Sequence, residues 1–225
     1  MERSPPWARR LRTGALSSAD LPARSLAVEA PMTPRAAINP EGFEEKFRHD
    51  IDPWRYRSSS FEETKRRDLI AAAGSGPYAR GLELGCAIGV TSRALAPLTL
   101  KLLALDASPT ALAEARRECA DLASVSFREA VLPRDLPRGE FDLIVASEIA
   151  YYLKEAALRR LAAELPSRLA RGGRIVLVHH VRPFSDAAVH PALAHGFLRQ
   201  SLERRLMPVW HKARAHYRVD ALIRP

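Results

Sequence analysis

Two short runs of the sequence are apolar at every position, and they constrain the fold more than any other feature. Residues 143–146 read LIVA and residues 175–178 read IVLV. Runs without polar alternation are typical of central strands in a parallel sheet, because helices cover both faces of such a strand. Segments with helical periodicity separate these runs from similar ones along the chain. This alternation predicts an α/β fold with a Rossmann-like, doubly wound, mostly parallel sheet and helices on both faces.

The predicted elements follow one another from residue 41 onwards. We expect strands at 80–84, 101–105, 124–128, 141–146 and 174–179. Helical periodicity predicts helices at 61–73, 89–96 and 155–170, and the glycines at 172 and 173 end the last of these. A further helix begins after Ser108, a favourable N-cap residue, with Pro109 at the first helical position. Residues 210–224 alternate in polarity, which predicts a terminal strand or hairpin.

Residues 1–40 differ from the rest of the chain in composition. They contain six of the 17 prolines and no sustained apolar period. We therefore expect a disordered N-terminal extension over 1–40, followed by one domain over 41–225. An Arg-rich, acid-poor N-terminus is also compatible with an organellar transit peptide, although its prolines disfavour an amphipathic helix. Met32 is an alternative start of the chain.

The formal net charge of +9 is concentrated near the two termini. Residues 1–40 carry six arginines and three acidic residues, and residues 182–225 carry eight basic and three acidic residues. The stretch between them is almost neutral and lacks the broad basic face of a general nucleic-acid binder, so we do not expect a nucleic-acid partner. No apolar run or leader predicts membrane insertion or secretion, and the two cysteines have neither disulfide nor metal spacing. We expect a cytoplasmic protein without a metal site.

A glycine-containing turn joins the strand at 80–84 to the helix that follows. In LELGCAIGV, residues 82–90, Gly85 and Gly89 let the backbone approach a ligand closely, and the next helix offers free amides at its N-terminus. Asp106 ends the next strand, 21 residues after Gly85. A carboxylate at that position accepts hydrogen bonds from both hydroxyl groups of a ribose. The pattern predicts a nucleoside cofactor.

The spacing of the glycines distinguishes one nucleoside cofactor from another. A dinucleotide fingerprint requires glycine where this chain has Ala87 and Val90. The remaining pattern of Glu83, Gly85 and Gly89 resembles the first motif of class I methyltransferases, which bind S-adenosylmethionine. That cofactor has no pyrophosphate, and the helix N-terminus can meet its methionine carboxylate. We expect S-adenosylmethionine; NAD, or a turn without a ligand, is the alternative.

Two flanking segments extend this resemblance. Residues 52–57 read DPWRYR and residues 141–153 read FDLIVASEIAYYL. With the glycine turn, they resemble the nodulation protein S family, whose members N-methylate the amino sugar of chitin-derived signalling oligosaccharides. The resemblance spans about residues 43–181 and implies a class I methyltransferase with a seven-stranded sheet. It also implies an amine of a saccharide or other small molecule as the acceptor, although the family contains many members outside nodulation.

The resemblance places the cofactor at the carboxyl edge of the sheet. The implied cofactor-binding residues lie at strand ends and before the first predicted helix: Trp54, Arg57, Glu83, Gly85, Cys86, Ala87, Gly89, Asp106, Ala107, Ala130, Val131 and Ser147. We expect Arg57 and Lys65 to meet the cofactor carboxylate. Trp54 and Tyr56 are expected to form an aromatic lid, or else to pack on the sheet. Adenine is expected to lie against apolar walls and a backbone amide near Val131.

Methyl transfer from a sulfonium mainly requires two positioned partners and a deprotonated acceptor. Glu148 lies just past the strand 141–146, where doubly wound sheets bind ligands. We expect it to orient the acceptor and accept its proton; a helix-capping or solvent-facing acid is the alternative. Tyr151 is expected to line the acceptor pocket, and His179, at a strand end, is a candidate base or a packing residue. O-methylation, nucleic-acid methylation and cofactor binding without catalysis are the alternative functions.

Overall fold

The computed structural model describes residues 38–225. The predicted disorder of 1–40 therefore falls outside the described residues except for the last three, and the domain boundary at residue 41 stays a prediction. Ile38 packs against the rest of the described chain, and its amide donates a hydrogen bond to the carbonyl of Asp186 at 3.4 Å. Pro40 begins the first helix.

Six α-helices and seven strands make up the described chain. The helices are α1 (Pro40–His49), α2 (Ser60–Ala73), α3 (Val90–Leu95), α4 (Pro109–Glu118), α5 (Glu155–Arg168) and α6 (Pro191–Glu203). The strands are β1 (Gly81–Leu84), β2 (Leu102–Asp106), β3 (Val125–Glu129), β4 (Phe141–Ser147), β5 (Leu169–His180), β6 (Met207–Ala213) and β7 (Tyr217–Ile223). Short 3-10 turns cover Ala96–Leu98 and Ala150–Tyr152.

The strands form one sheet in the order β3-β2-β1-β4-β5-β7-β6. The first five run parallel, whereas β7 is antiparallel to β5 and to β6. This confirms the predicted mostly parallel, seven-stranded sheet. The strand order reverses between β1 and β4, and ligands of doubly wound sheets bind in the crevice beyond such a reversal.

The two apolar runs bury their side chains on both faces of the sheet, as predicted. In β4, Ile144 and Ala146 pack in the cluster that contains the buried leucines of α5 and α6. Leu143 and Val145 alternate with them and pack in the cluster that contains Leu69 of α2. Because all four β4 side chains have no exposed surface, this strand fixes the position of whatever follows it at its carboxyl end.

Local signals explain most element boundaries. Ser108 caps α4 by accepting a hydrogen bond from the amide of Ala111 at 3.0 Å, with Pro109 at the first helical position as predicted. The predicted hairpin is β6 and β7. The predicted helix at 155–170 was too long: α5 ends at Arg168, because Leu169 already pairs with Phe141 at the start of β5.

Two helices had no prediction. Asn39 caps α1 by accepting from the amide of Gly42 at 2.9 Å. In α6, Ala194, Leu198 and Leu202 repeat at four-residue intervals and face the core. None of the helices within 38–225 is long and apolar enough to cross a bilayer.

Candidate active site

A cleft opens at the carboxyl ends of β1, β2 and β4, where the strand order reverses. It has two connected lobes that share Tyr56, Gly85, Ala87, Ser147 and Glu148. The apolar lobe, toward α1, is also lined by Ile38, Phe43, Trp54, Asp106, Ala107, Ala130, Val131, Leu132, Ile149, Tyr152 and Leu153. The polar lobe, toward α2, is also lined by Glu62, Lys65, Arg66, Glu83, Cys86 and Thr91. The apolar lobe and its open mouth together span about 850 Å³.

The turn after β1 forms the floor of both lobes. Gly85 has φ +77°, and a Cβ there would lie 3.4 Å from Cδ1 of Ile149, in the gap between the turn after β1 and the turn after β4. Ala87 adopts φ +48°, and its amide donates to Oδ2 of Asp106 at 2.8 Å. Gly89, which was predicted to contact the cofactor, is not among the residues that line the cleft. A Cβ on Gly89 would lie 2.9 Å from Cα of Ala115, so this glycine lets the turn pack closely against α4.

Asp106 ends β2 and faces the apolar lobe. Its two carboxylate oxygens accept from the amides of Ala87 at 2.8 Å and Ser108 at 3.0 Å. Burial raises the pKa of Asp106, although these backbone hydrogen bonds oppose the rise. A carboxylate has about four acceptor positions, so Asp106 can still accept from a diol while it joins the turns after β1 and β2.

Glu83 is a buried acid at the inner end of the polar lobe. It is 1% exposed and accepts a hydrogen bond from the hydroxyl of Ser92. Burial raises the pKa of Glu83 to about 8, although the Ser92 bond lowers it. Cys86, beside it, is 3% exposed, and burial raises the pKa of its thiol well above the usual value. Cys86 is therefore a filler of the turn, not a nucleophile.

Glu148 lies where the two lobes meet. Its backbone has φ +56°, an uncommon conformation for a residue other than glycine. Oε1 accepts from the amide of His180 at 2.8 Å, and Oε2 accepts from the hydroxyl of Tyr151 at 2.6 Å. Nζ of Lys65 is 3.3 Å from Oε2. Three donors from three parts of the chain therefore hold this carboxylate in one orientation.

Lys65 connects two acids in the polar lobe. It is 6% exposed, and its Nζ lies 2.9 Å from Oε1 of Glu62 in addition to its contact with Glu148. Burial lowers the pKa of Lys65, but the two carboxylates outweigh burial and raise it. Lys65 therefore remains an ammonium and pairs with side chains of its own chain, which leaves its predicted contact with a cofactor carboxylate without support.

Aromatic rings cover the apolar lobe. Trp54 packs against Phe47 of α1 with ring centroids 5.5 Å apart, and against Tyr56 at 5.9 Å. Phe43 of α1 meets Tyr152 edge-on at 4.8 Å. Trp54 and Tyr56 therefore line the cleft and also pack the segment before α2 onto the fold, and their role as a lid stays a prediction.

Two residues that were predicted at the cofactor have other hydrogen-bond partners in the structure. Nη2 of Arg57 lies 2.5 Å from Glu114 and 3.0 Å from Glu118, so Arg57 binds α4 and does not reach the cleft. The amide of Val131 donates to Oδ2 of Asp135 at 2.9 Å and is not free for adenine. Val131 still contributes an apolar wall, as predicted.

Two of the three predicted catalytic residues do not line the cleft. Tyr151 is 2% exposed and acts on the site only through its bond to Glu148. His179 has no exposed surface, and burial lowers its pKa well below the usual value. Both of its ring nitrogens are engaged, by the amide of Ala150 at 3.2 Å and by Nδ1 of His195 at 3.1 Å. His179 therefore cannot reach an acceptor, and packing at the strand end was the better interpretation.

Part of the cleft lining was not predicted from the sequence. Ile38 and Phe43 were not predicted because α1 was not, although Asn39-Pro40 is a helix-start signal and Phe43 and Phe47 share its apolar face. Ile149 lies beside the predicted Glu148, but nothing in its type marks it as a wall. Among residues 38–225, no cluster of His, Cys, Asp or Glu side chains could hold a metal ion.

The model of one family, nodulation protein S (NodS), matches residues 40–178. The chain belongs to the nodulation protein S family. It is 34% identical over 127 residues to nodulation protein S of Sinorhizobium fredii, which is 56% of this chain and 59% of that protein. It is 35% identical over 127 residues to nodulation protein S of Rhizobium tropici, which is 56% of this chain and 53% of that protein. The chain thus spans little more than half the length of these family members.

Solved structures share the fold. The N-methyltransferase NodS from Bradyrhizobium japonicum WM9, solved in complex with S-adenosyl-L-homocysteine, is 22% identical with a TM-score of 0.69, over 81% of this chain and 98% of that one. A putative methyltransferase from Pseudomonas syringae is 28% identical with a TM-score of 0.62, over 74% of this chain and 100% of that one. The predicted Rossmann-like methyltransferase fold is therefore confirmed.

Proposed function

We propose that this chain is an S-adenosylmethionine-dependent methyltransferase that N-methylates an amine of a saccharide or other small molecule. The observation that carries the proposal is the fixed carboxylate of Glu148 at the junction of the two lobes. It faces the same cleft as Gly85 and Asp106. Family membership and the NodS complex with S-adenosyl-L-homocysteine support the same reaction.

The chemistry of the cleft fits this cofactor. Asp106 would accept from the ribose hydroxyls, and the apolar lobe would take adenine between Ala107, Val131 and Ile149. The polar lobe would take the amino-acid end, where the buried Glu83 offers a carboxyl partner for an ammonium. When bound, S-adenosylmethionine supplies a methyl group activated by a sulfonium.

Glu148 would orient the acceptor. Its carboxylate has about four acceptor positions, of which the His180 amide, the Tyr151 hydroxyl and Lys65 use three. One position remains for an N–H of the acceptor. An amine held in this way presents its lone pair in a defined direction, and in-line transfer depends on that alignment. Glu148 can also receive the proton that a protonated amine must lose before it reacts.

The aromatic cover has a second role in this proposal. Trp54 and Tyr56 close the cleft beside Glu148, and their ring faces attract a cation such as a sulfonium. Together with Phe43 and Tyr152 they exclude water, which strengthens the electrostatic interactions inside the cleft.

Several observations favour a saccharide or other small molecule as the acceptor. The relatives are named for nodulation, and one of the similar solved structures is that of an N-methyltransferase. The almost neutral stretch of residues 41–181 offers no broad basic face, so we favour an oligosaccharide or small molecule over a nucleic acid. Cys86 and Cys119 are free thiols, which fits our placement of the protein in the reducing cytoplasm.

The test is a methyl-transfer assay with the purified full chain and methyl-labelled S-adenosylmethionine. The acceptor panel contains chito-oligosaccharides with one free amine, their fully N-acetylated counterparts, simple amines, phenols and tRNA. We expect label on free amines and none on the N-acetylated controls, together with binding of S-adenosylhomocysteine in calorimetry. Label confined to phenols or tRNA would overturn the N-methylation proposal, and absence of S-adenosylhomocysteine binding would overturn the cofactor.

A further inference from the structure

A line of buried polar side chains runs from the C-terminal hairpin to the turn after Glu148. Oδ2 of Asp220 lies 2.8 Å from Nε2 of His195. Nδ1 of His195 lies 3.1 Å from Nδ1 of His179, whose Nε2 accepts from the amide of Ala150 at 3.2 Å. Asp220, His195 and His179 are 2%, 5% and 0% exposed. Each polar atom along this line therefore depends on its neighbour in the line for a hydrogen bond.

The backbone amide at one end determines the proton positions along the line. Because the Ala150 amide can only donate, Nε2 of His179 must be unprotonated, and the proton of this neutral ring lies on Nδ1. That proton requires a lone pair on Nδ1 of His195, which places the His195 proton on Nε2, facing Asp220. Only one arrangement of protons satisfies every bond, and it requires an acceptor at Asp220.

The outer end of the line keeps Asp220 an acceptor. Oδ1 lies 2.8 Å from Nδ1 of His211 and 3.1 Å from Nε of Arg199. Burial raises the pKa of Asp220, but the hydrogen bonds from His195 and His211 outweigh burial and lower it. At the inner end, burial lowers the pKa of His179, and His195 and the charge of Lys65 lower it further.

The inner end of the line reaches the candidate active site. Ala150 begins the 3-10 turn that also contains Tyr151, and Tyr151 donates to Glu148 at 2.6 Å. The match to the family model ends at residue 178, so His179, His195 and Asp220 all lie beyond the matched region. Neither the family match nor the cleft lining accounts for three buried polar residues in this position.

We propose that Asp220, His195 and His179 are positioning residues that fix the Ala150 peptide and, through Tyr151, the carboxylate of Glu148. The hydrogen-bonded line is defined by geometry alone, whereas its catalytic consequence rests on the proposed function. None of the three residues touches a substrate. They act by holding the turn that carries the catalytic carboxylate.

Asp220→Asn tests the proton order directly. Nε of Arg199 makes no hydrogen bond but lies 3.1 Å from Oδ1, so the charge of the guanidinium favours the amide oxygen of the asparagine at that position and turns its NH2 group toward His195. His195 then accepts at Nε2 and carries its proton on Nδ1. His179 must move its proton to Nε2, where it opposes the donating amide of Ala150. The substitution therefore inverts the tautomers of His195 and His179 and breaks the hydrogen bond from the Ala150 amide to His179.

The experiment uses the full chain labelled with nitrogen-15 and nuclear magnetic resonance of the histidine rings and the Ala150 amide. In the wild type we expect unprotonated nitrogens at His179 Nε2 and His195 Nδ1. In Asp220→Asn we expect both tautomers to invert and the Ala150 amide to exchange about tenfold faster, the factor for one lost hydrogen bond. His211→Gln is the matched control, because it contacts only the outer oxygen of Asp220, and should change neither. A wild type with the opposite tautomers, or unchanged exchange in folded Asp220→Asn, overturns the proposal.

A second pair keeps the test valid if Asp220→Asn fails to fold. His179→Gln retains an acceptor for the Ala150 amide, whereas His179→Leu removes it, so amide exchange should be faster only in the leucine variant. With an acceptor substrate, turnover should fall about tenfold in His179→Leu and recover in His179→Gln, while S-adenosylhomocysteine affinity stays constant in both. Equal exchange or equal turnover in the two variants overturns the positioning role. Absence of any methyl transfer in the wild type contradicts the proposed function and leaves the exchange result to decide the positioning of the turn.

Discussion

The hydroxyl of Tyr151 donates a hydrogen bond to Oε2 of Glu148 over 2.6 Å. The tyrosine ring is buried, and burial raises the pKa of its hydroxyl well above the usual value, so the group stays a donor at any physiological pH. Tyr151 therefore holds Glu148 in place without lining the cleft, whereas Glu148 itself lines it.

Tyr151→Phe should lower turnover without lowering cofactor affinity. The variant keeps the buried ring and removes one donor to a charged acceptor, and such bonds contribute about 1.5 to 3 kcal/mol. We expect turnover to fall about tenfold or more and the S-adenosylhomocysteine dissociation constant to stay within about twofold. Tyr78→Phe is the control, because its hydroxyl bonds to the carbonyl of Ala73, away from the cleft. Equal turnover in the two variants would show that Tyr151 does not position Glu148.

Asp106→Ala should weaken cofactor binding. The carboxylate faces the apolar lobe and still has free acceptor positions for a ribose. Its loss should reduce affinity for S-adenosylhomocysteine by about 1.5 to 3 kcal/mol in calorimetry. Asp121→Ala, an exposed acid that pairs with Arg93, should leave affinity unchanged. If the Asp106 variant bound as tightly as the wild type, the ribose assignment would be wrong.

Glu83 should make stability depend on pH near neutrality. Burial raises its pKa in the folded chain from 4.5 to about 8, so the folded state holds a proton that the unfolded state has released. The contribution of this group to stability is complete below pH 4.5 and is lost as the pH rises to about 8. Denaturant unfolding of the wild type and Glu83→Gln from pH 4.5 to 9 should show the wild type losing stability relative to the variant. Parallel curves would mean that Glu83 is ionised in the folded chain.

Glu44 should have the opposite dependence. It accepts from the hydroxyls of Ser108 at 2.6 Å and Thr110 at 2.5 Å, and so joins α1 to α4. Burial alone would raise its pKa, but these bonds lower it to about 2, so its contribution to stability is present above pH 4.5 and is lost as the pH falls toward 2. Glu44→Gln should cost on the order of 1 kcal/mol at pH 7 and weaken cofactor binding, because α1 covers the apolar lobe.

Glu45→Gln is the control for this prediction, because Glu45 is an exposed acid on the same helix. It should change neither unfolding nor cofactor affinity at pH 7. Identical acid-unfolding curves for the two variants would show that Glu44 does not fasten α1.

The sequence predicted what depends on local pattern. The apolar runs located β4 and β5, Ser108 and Pro109 located the start of α4, and the spacing of Gly85 and Asp106 located the cleft. These features are local because burial on both faces, a helix cap and a tight turn each leave a signature within a few residues.

Contacts between residues that are far apart in the sequence explain why some site residues do not lie where they were predicted. Arg57 looks like a free cation in the sequence, yet Glu114, 57 residues later, binds it. His179 looks like a base at the edge of the cleft, yet His195 and Ala150 occupy both of its nitrogens. The role of such a residue depends on hydrogen-bond partners that come close only in the folded chain. The sequence pattern around the residue does not reveal those partners.

The central claim is that Glu148 orients the acceptor of a methyl transfer, and comparison of the wild type with Glu148→Gln tests it most directly. Glutamine keeps the size of the side chain but removes the charge and places an NH2 group where Oε1 or Oε2 accepts a bond. Methyl transfer to a free amine, measured from pH 6 to 10, should fall roughly 100-fold to 10,000-fold, the range of general acid-base contributions. S-adenosylhomocysteine affinity should change little. A Glu148→Gln variant that transfers methyl groups at the wild-type rate across this pH range would contradict the account.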